Sequence, residues 1–298
     1  MESPQNDGFP YEKFKSFFNW TMTYRRDSNF HHPYGWVAPI DWKWHYPASR
    51  DLSLDWSKYP LPKSLANQSI QSEDLRKKKP VAWLVSNCHT NSQRENYVAQ
   101  LSKYIQVDVY GGCGQNKCPN GIECAKYIQK EYMFYLSFEN SICKDYVTEK
   151  FWSHLGSDLV PIVLGGADYE KIAPPHSFID TSMYSDPKQL AKYLNYLMQN
   201  QTAYYEYFNW KPYFKVYGGD AHYLARGMCQ LCEALNKQPI MNHMINDIGN
   251  WWRKEGKCML EQDIPWSNPM NAISKHFDSW KDFVWKTANQ AVNSIRST

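Results

Sequence analysis

A chain of 298 residues, 43% hydrophobic and 16% aromatic, holds material for one large or two modest packed domains. Its formal net charge of +3 is too small to indicate a nucleic-acid or membrane-surface partner. No transmembrane run or signal peptide is present: the longest apolar stretches, such as 160–164, fall far short of the roughly 20 residues that a span needs.

Residues 1–60 are rich in Trp, Tyr, His and Pro and have little regular period. Phe14, Phe17 and Phe18 fit one face of a short helix, and 20–24 alternates like a strand. The polar, Pro-containing segment from about 60 to 79 reads as a linker, with the basic run 76–79 as solvated chain. After Pro80 the pattern changes: 81–86 is a compact apolar strand. Tyr97, Val98, Leu101, Tyr104 and Ile105 then form a helical stripe within 93–105. A strand over 107–110 stops at Gly111-Gly112, and a helix near 121–130 precedes an aromatic strand over 132–138. A helix from Val147, a strand over 159–164, a short strand over 177–180 and a helix over 187–200 follow. The last of these places Leu190, Tyr193, Leu194, Leu197 and Met198 on one face.

Alternating strands and helices of this length predict an α/β fold with a doubly wound parallel sheet and right-handed crossovers. Ligands in such folds sit outside the carboxyl ends of the strands. No Gly-x-Gly-x-x-Gly follows the first strand, which counts against a dinucleotide site. There is also no Asp-x-Asp pair to hold a diphosphate through a metal, so charged side chains are expected to neutralise any pyrophosphate.

Eight cysteines stand at 88, 113, 118, 124, 143, 229, 232 and 258, with glycosylation sequons at Asn19, Asn67 and Asn200. Together they favour an oxidising secretory lumen, with a connectivity that sequence leaves open. Lumenal features without an entry signal make the chain read as N-terminally incomplete. Cys229-x-x-Cys232 has no partner motif at zinc-like spacing, so a zinc site is disfavoured.

The most informative stretch is 132–152. Its strand ends in Glu139-Asn140-Ser141, and Asp145-Tyr146-Val147-Thr148-Glu149-Lys150 then opens a helix. Polar groups between a strand end and a helix start suit phosphates and nucleotides. Lys150 can neutralise a phosphate, Glu149 can accept from ribose or sugar hydroxyls, and Arg94 can fork onto phosphate oxygens.

Phe138–Ser141 followed by Asp145–Lys150, with 82–87 and Arg94 upstream, resembles the donor-binding signature of the α1,3-fucosyltransferases, glycosyltransferase family 10, which use GDP-fucose. The resemblance covers about 2–232 and is densest over 81–165. It implies a GT-B architecture of two Rossmann-like domains facing a cleft, the N-terminal one incomplete. Residues 1–78 would be the partial acceptor-side domain with its linker, 79–235 the GDP-fucose-binding domain and 236–298 a C-terminal extension. It also implies Arg94 against the pyrophosphate, Glu149 and Lys150 as a donor-contacting pair, and Tyr146 and Val147 beside guanine and ribose. Tyr135, Glu139 and Asn140 would line the same strand end.

Glu2-Ser3-Pro4 and the run from Asn19 to Ser28 resemble the family's acceptor-side motifs and make Glu2 the candidate general base of an inverting transfer. At residue 2, this base is expected on a frayed, poorly held terminus. The alternative is therefore an inactive remnant that binds GDP or glycan. The scheme obliges no metal, although Mn²⁺ could assist by binding the released diphosphate. The expected acceptor is GlcNAc of a glycoprotein N-glycan, core or antennal. The expected setting is the Golgi lumen, with a membrane anchor upstream as in a type II membrane protein.

In relatives the late Cys-x-x-Cys forms disulfides. Here Cys143 and Cys258 are both open as partners, and Cys113, Cys118 and Cys124 could stabilise the loop after the second strand. The tail, with Trp251-Trp252, looks more like that of invertebrate members.

Overall fold

The computed structural model describes residues 1–40, 56, 79–117, 122–218, 222–237 and 244–266. The linker up to residue 78, Asn67, Cys118 and the tail beyond Trp266 lie outside the described residues. The N-terminal segment is largely irregular. A 3-10 turn (Tyr11–Phe14) precedes two short parallel strands, β1 (Met22–Thr23) and β2 (Phe30–His31), and then β3 (Gly35–Pro39).

Two expectations shrink here. The strand over 20–24 is only two residues long. Thr21 N–H donates to Asn29 Oδ1 at 2.9 Å and Asn29 N–H to Thr21 Oγ1 at 3.0 Å, so side chains occupy backbone groups a longer ladder would use. The predicted helix ends at Phe14, and Ser16 has φ of 52°, yet the rings of Phe14, Phe17 and Phe18 still cluster with centroids 5.2–6.0 Å apart.

The centre is a five-stranded, wholly parallel sheet. In chain order its elements are β4 (Lys79–Leu84), α1 (Arg94–Leu101), β5 (Val107–Tyr110), α2 (Ile122–Glu131), β6 (Tyr132–Phe138), α3 (Glu149–Leu155), β7 (Val160–Leu164), α4 (Tyr169–Ile172) and β8 (Ile179–Asp180). The spatial order is β5-β4-β6-β7-β8. All seven residues of β6 are buried, as a central strand covered on both faces requires. Phe134, Leu136 and Phe138 face one layer with Tyr97, Val98 and Leu101 of α1, joined by Leu190, Leu194 and Leu197 of α5 (Pro187–Gln199). The other layer holds Phe151, Trp152 and Leu155 of α3, and Ser137 Oγ donates to the Lys150 carbonyl at 2.7 Å across that face.

After α6 (Gln201–Tyr205), β9 (Phe214–Gly218) pairs antiparallel with β3, and α7 (His222–Asn236) follows. Gly35 pairs with Gly218; a Cβ on Gly35 would meet the Trp152 ring at 2.5 Å, and one on Gly218 would meet the Trp152 Cβ at 2.7 Å. The Trp152 side chain thus fills the space that two facing glycines leave, which seats this strand pair on α3.

Boundaries moved where capping decided them. α3 begins at Glu149 rather than Val147, because Thr148 is extended and its side chain accepts from Lys150 N–H as the cap. α5 starts at Pro187 as expected, behind an Asp186 cap that accepts from Gln189 N–H at 2.9 Å. α1 stops at Leu101, leaving Tyr104 exposed although Ile105 rejoins the core. No described helix is long and apolar enough to cross a membrane.

Candidate active site

The strand order reverses its direction of travel between β4 and β6. One connection leads outward to β5 and the others to β7 and β8, so a crevice opens at the carboxyl ends of β4 and β6. The loop after Phe138 is pinned there by the start of α1. Arg94 Nη1 donates to the Phe138 carbonyl at 2.6 Å and Nη2 to the Asn87 carbonyl at 3.3 Å, bridging both strand ends. Ser92 Oγ donates to the Glu139 carbonyl at 2.7 Å and Ser92 N–H to the Asn140 carbonyl at 3.1 Å.

Arg94 is only 3% exposed, and its Nε has no partner. Burial lowers its pKa from the ordinary value, with carboxylates such as Glu139 acting in the opposite direction. Among the described residues no carboxylate lies within ion-pair distance of it. The guanidinium is held by two carbonyls and by the Trp83 ring, 5.6 Å from its centroid, with no anion against it among the described residues.

Glu139 is fully buried, and Thr148 takes up its carboxylate. Thr148 N–H donates at 2.7 Å and the Thr148 hydroxyl lies 2.9 and 3.1 Å from the two oxygens. Lys150 Nζ stands 3.5 Å away. Burial raises the Glu139 pKa, opposed by Lys150 and the Thr148 bonds. Its geometry is that of a brace between β6 and α3.

Lys150 Nζ also reaches Thr148 Oγ1 at 2.8 Å and Glu149 Oε1 at 3.1 Å, and Glu149 is exposed. Tyr135 lies mid-strand in the core, its ring stacked on His154 at 3.5 Å and its hydroxyl held by the Leu84 backbone. Burial lowers the His154 pKa to about 4, leaving the stacked imidazole neutral. Val147 is buried beside Trp152. The structure therefore gathers Arg94, Glu139, Asn140, Tyr146 and Lys150 around the strand end, with Tyr135 and Val147 behind them.

Glu2 comes to the same place. Asn140 Nδ2 and the Tyr146 hydroxyl each lie 3.4 Å from Glu2 Oε2. Burial, with smaller help from Glu139 and Glu2, holds the Tyr146 phenol far above its ordinary pKa, so it stays a donor. The expected fraying of this terminus is corrected: Ser3 is fully buried and its hydroxyl donates to Ser141 Oγ at 2.7 Å. Asn6 Nδ2 reaches the same Ser141 oxygen, and Gln5 Nε2 donates to the Met259 carbonyl at 2.7 Å. Residue 2 stands one step from a buried anchor.

Sequence reasoning missed the parts that hold this arrangement. Arg25 is fully buried, chelates Asp27, and lies 4.2 Å over the Trp251 ring. Asp27 also takes Lys144 Nζ at 2.9 Å, and Asp145 Oδ2 accepts from Arg26 N–H at 3.1 Å. Asp145 has φ of 60°, a left-handed turn that aims its carboxylate back at the N-terminal segment. Trp252 Nε1 donates to Asp7 Oδ2 at 3.0 Å. The doubled charges at 25–27 were the available signal, since an Arg two residues before an Asp can chelate it.

Cys143 pairs with Cys258, and Cys88 with Cys113. Neither open candidate therefore joins Cys229 or Cys232, which are free and exposed. The Cys88–Cys113 bond ties the loop after β4 to the loop after β5. Among the sequons, Asn19 is exposed, whereas Asn200 caps α6, its side chain bonded to Ala203 N–H and the Tyr196 hydroxyl. Among the described residues no three His, Cys, Asp or Glu side chains converge as a metal site.

Comparison with known proteins places the chain in a family. Residues 75–251 match the family model for glycosyltransferase family 10 (fucosyltransferase), C-terminal part, and residues 1–35 match the fucosyltransferase N-terminal model. An alpha-(1,3)-fucosyltransferase of Caenorhabditis elegans is 37% identical over 274 residues, 89% of this chain and 59% of its own length. Glycoprotein 3-alpha-L-fucosyltransferase A of Drosophila melanogaster is 38% identical, over 80% of this chain and 44% of its own length. A crystal structure of an alpha1,3-fucosyltransferase with GDP-fucose aligns with a TM-score of 0.46 at 22% identity, covering 57% of this chain and 51% of that one. The chain belongs to the fucosyltransferases of glycosyltransferase family 10. It spans about 60% or less of the length of these curated relatives.

Proposed function

We propose that this chain carries the donor site and general base of an inverting α1,3-fucosyltransferase that moves fucose from GDP-fucose to GlcNAc of glycoprotein glycans. The observation that carries the reading is the meeting of an anchored Glu2 with buried Arg94 and the Asn140–Tyr146 pair at the β4–β6 crevice. Glu2 takes the proton of the acceptor hydroxyl as its oxygen bonds to the fucose anomeric carbon from the face opposite GDP. The bond from that carbon to the β-phosphate oxygen breaks, and Arg94 and Lys150 stabilise the charge gathering on GDP. Asn140 and Tyr146 donate to Glu2 and orient it. Glu149 orients the sugar, and Thr148 with Glu139 fixes the turn from which Glu149 and Lys150 project. Mn²⁺ could bind the diphosphate as it leaves, though no step above requires it.

In this reading 79–235 is the GDP-fucose-binding domain, 1–78 part of a facing acceptor-side domain of GT-B type, and 236–298 a C-terminal extension. The printed name of the Drosophila relative supports a glycoprotein acceptor. Disulfides and an exposed Asn19 sequon support a Golgi-lumenal setting.

The test offers GDP-fucose with two glycopeptides, one presenting core GlcNAc and one only antennal N-acetyllactosamine, and weighs the products. A gain of one fucose, abolished by Glu2→Gln, supports the reading and identifies the acceptor. Absence of product from folded protein that still binds GDP favours the inactive remnant.

A further inference from the structure

Asn200 closes α5 and opens α6. Its N–H donates to the Tyr196 carbonyl at 2.9 Å, and its own carbonyl accepts from Tyr204 N–H at 3.0 Å. The side chain is divided between two partners: Oδ1 accepts from Ala203 N–H at 3.1 Å as the cap of α6, and Nδ2 donates to the Tyr196 hydroxyl at 2.9 Å. Asn200 is half-buried, and Gln201 and Thr202, which complete the sequon, are exposed.

This corner lies at the end of the sheet away from the crevice. The Tyr204 hydroxyl, one turn farther on, donates at 2.8 Å to the carbonyl of Met133, near the start of β6. The crevice opens after Phe138 at the other end of that strand, about 17 Å away at the rise of a β-strand. Tyr196 stands beside the Asn200 amide, 50% exposed, and its ring stacks with that of Tyr193 at 6.1 Å.

We infer that Asn200 is itself N-glycosylated and that the first sugar of its glycan is seated on the Tyr196 ring. The inference rests on the lumenal setting proposed above and adds a modified position remote from the crevice. Capping and glycosylation use different atoms of the same amide. The cap needs only Oδ1, and the bond to Tyr196 leaves the second Nδ2 hydrogen for the sugar. In the modification Nδ2 gives up a proton and bonds the anomeric carbon of an oligosaccharide, as that carbon's bond to a lipid diphosphate carrier breaks and the diphosphate leaves. Oδ1 remains an acceptor throughout, so α6 keeps its cap. A pyranose ring has an apolar C–H face and a polar hydroxyl edge, and a half-exposed tyrosine offers an apolar ring with a polar tip to match.

The test secretes the full chain from eukaryotic cells behind a cleavable signal and weighs its peptides. The peptide with Asn200 is expected to carry a glycan that is absent from Thr202→Ala, a change that breaks the sequon and leaves the cap. An unmodified Asn200 in the secreted protein overturns the inference, most directly beside a glycosylated Asn19. Thiols at Cys143 and Cys258 in that same protein would sink the lumenal reading itself. The seat is read from the folded glycoprotein: peptide N-glycosidase is expected to release the Asn200 glycan about two- to ten-fold faster from Tyr196→Ala than from wild type. Tyr196→Phe, which keeps the ring, is expected to release it at the wild-type rate. Equal rates from wild type and Tyr196→Ala overturn the seat on Tyr196.

Discussion

Most of the proposed donor side of the crevice is written in one stretch of sequence, with Arg94 added from α1. β6, its polar loop and α3 run from Tyr132 to Leu155, and their side chains meet because strand, turn and helix are consecutive. The side that carries Glu2, the proposed base, is gathered from far apart: residues 2–28 are held against Asp145 and Lys144 and against the tail at 245–259. It has two strands of two residues each and depends on Arg25, Asp27, Asp7 and Cys143–Cys258 in place of a ladder. Contiguity makes the first half robust and readable. The second half is a product of tertiary structure, and its failures should be separable from those of the donor site.

Four experiments probe that separation, taken from the largest expected effect. Glu2→Gln should lower the rate of transfer about 10²- to 10⁴-fold, as loss of a general base does, with GDP affinity by calorimetry unchanged. A parallel loss of GDP binding would show the two halves to be one unit. Replacing Cys143 and Cys258 together by Ser should cost roughly 2–4 kcal/mol in denaturant unfolding, because the bond closes a separation of 115 residues. The same variant should lose glycan transfer before it loses GDP binding. Arg94→Met, which keeps the volume buried and removes the charge, should weaken GDP by about ten- to a hundred-fold, the worth of one charge-assisted bond of roughly 1.5–3 kcal/mol.

The smallest effect is a pH dependence. Burial would raise Asp27, but the hydrogen bonds from Arg25 and Lys144 outweigh it and hold the carboxyl below its ordinary value. Its contribution is therefore present above the ordinary carboxylate range and fades as pH falls through the depressed value. The gap in melting temperature between wild type and Asp27→Asn should narrow on acidification. A gap that is constant across that range would remove Asp27 from the brace.

The same contrast governs what the sequence disclosed. Apart from the one-turn α4, which no stripe announces, the order of strands and helices was legible from Pro80 to Gln199, since buried parallel strands read as apolar runs and α5 as a stripe. The strand over 132–138 was right to the residue because Glu139 and the helix before Tyr132 bound it on both sides. At the site, the side chains of the β6–α3 motif could be placed together by spacing. Arg94 could be named, but not its burial, which depends on Phe138 and Asn87 closing over it. The hold on Glu2 was invisible, because Ser141 lies 138 residues from Ser3 and no periodicity links them. Asp7, Trp252 and the Cys143–Cys258 pairing were hidden for the same reason.

The pairing of Gly35 with Gly218 also sets a timetable. At about 5–20 residues per second, a ribosome makes β9 roughly 10–40 s after its partner β3. Cys258 and the tail that clasps the first 28 residues emerge later still. The nascent chain therefore carries the aromatic-rich segment that ends in β3 without its β9 partner while the residues between them are made. In that interval Asn19 is open to a glycan-transferring enzyme, and Cys143 stays available to the wrong thiol until Cys258 arrives.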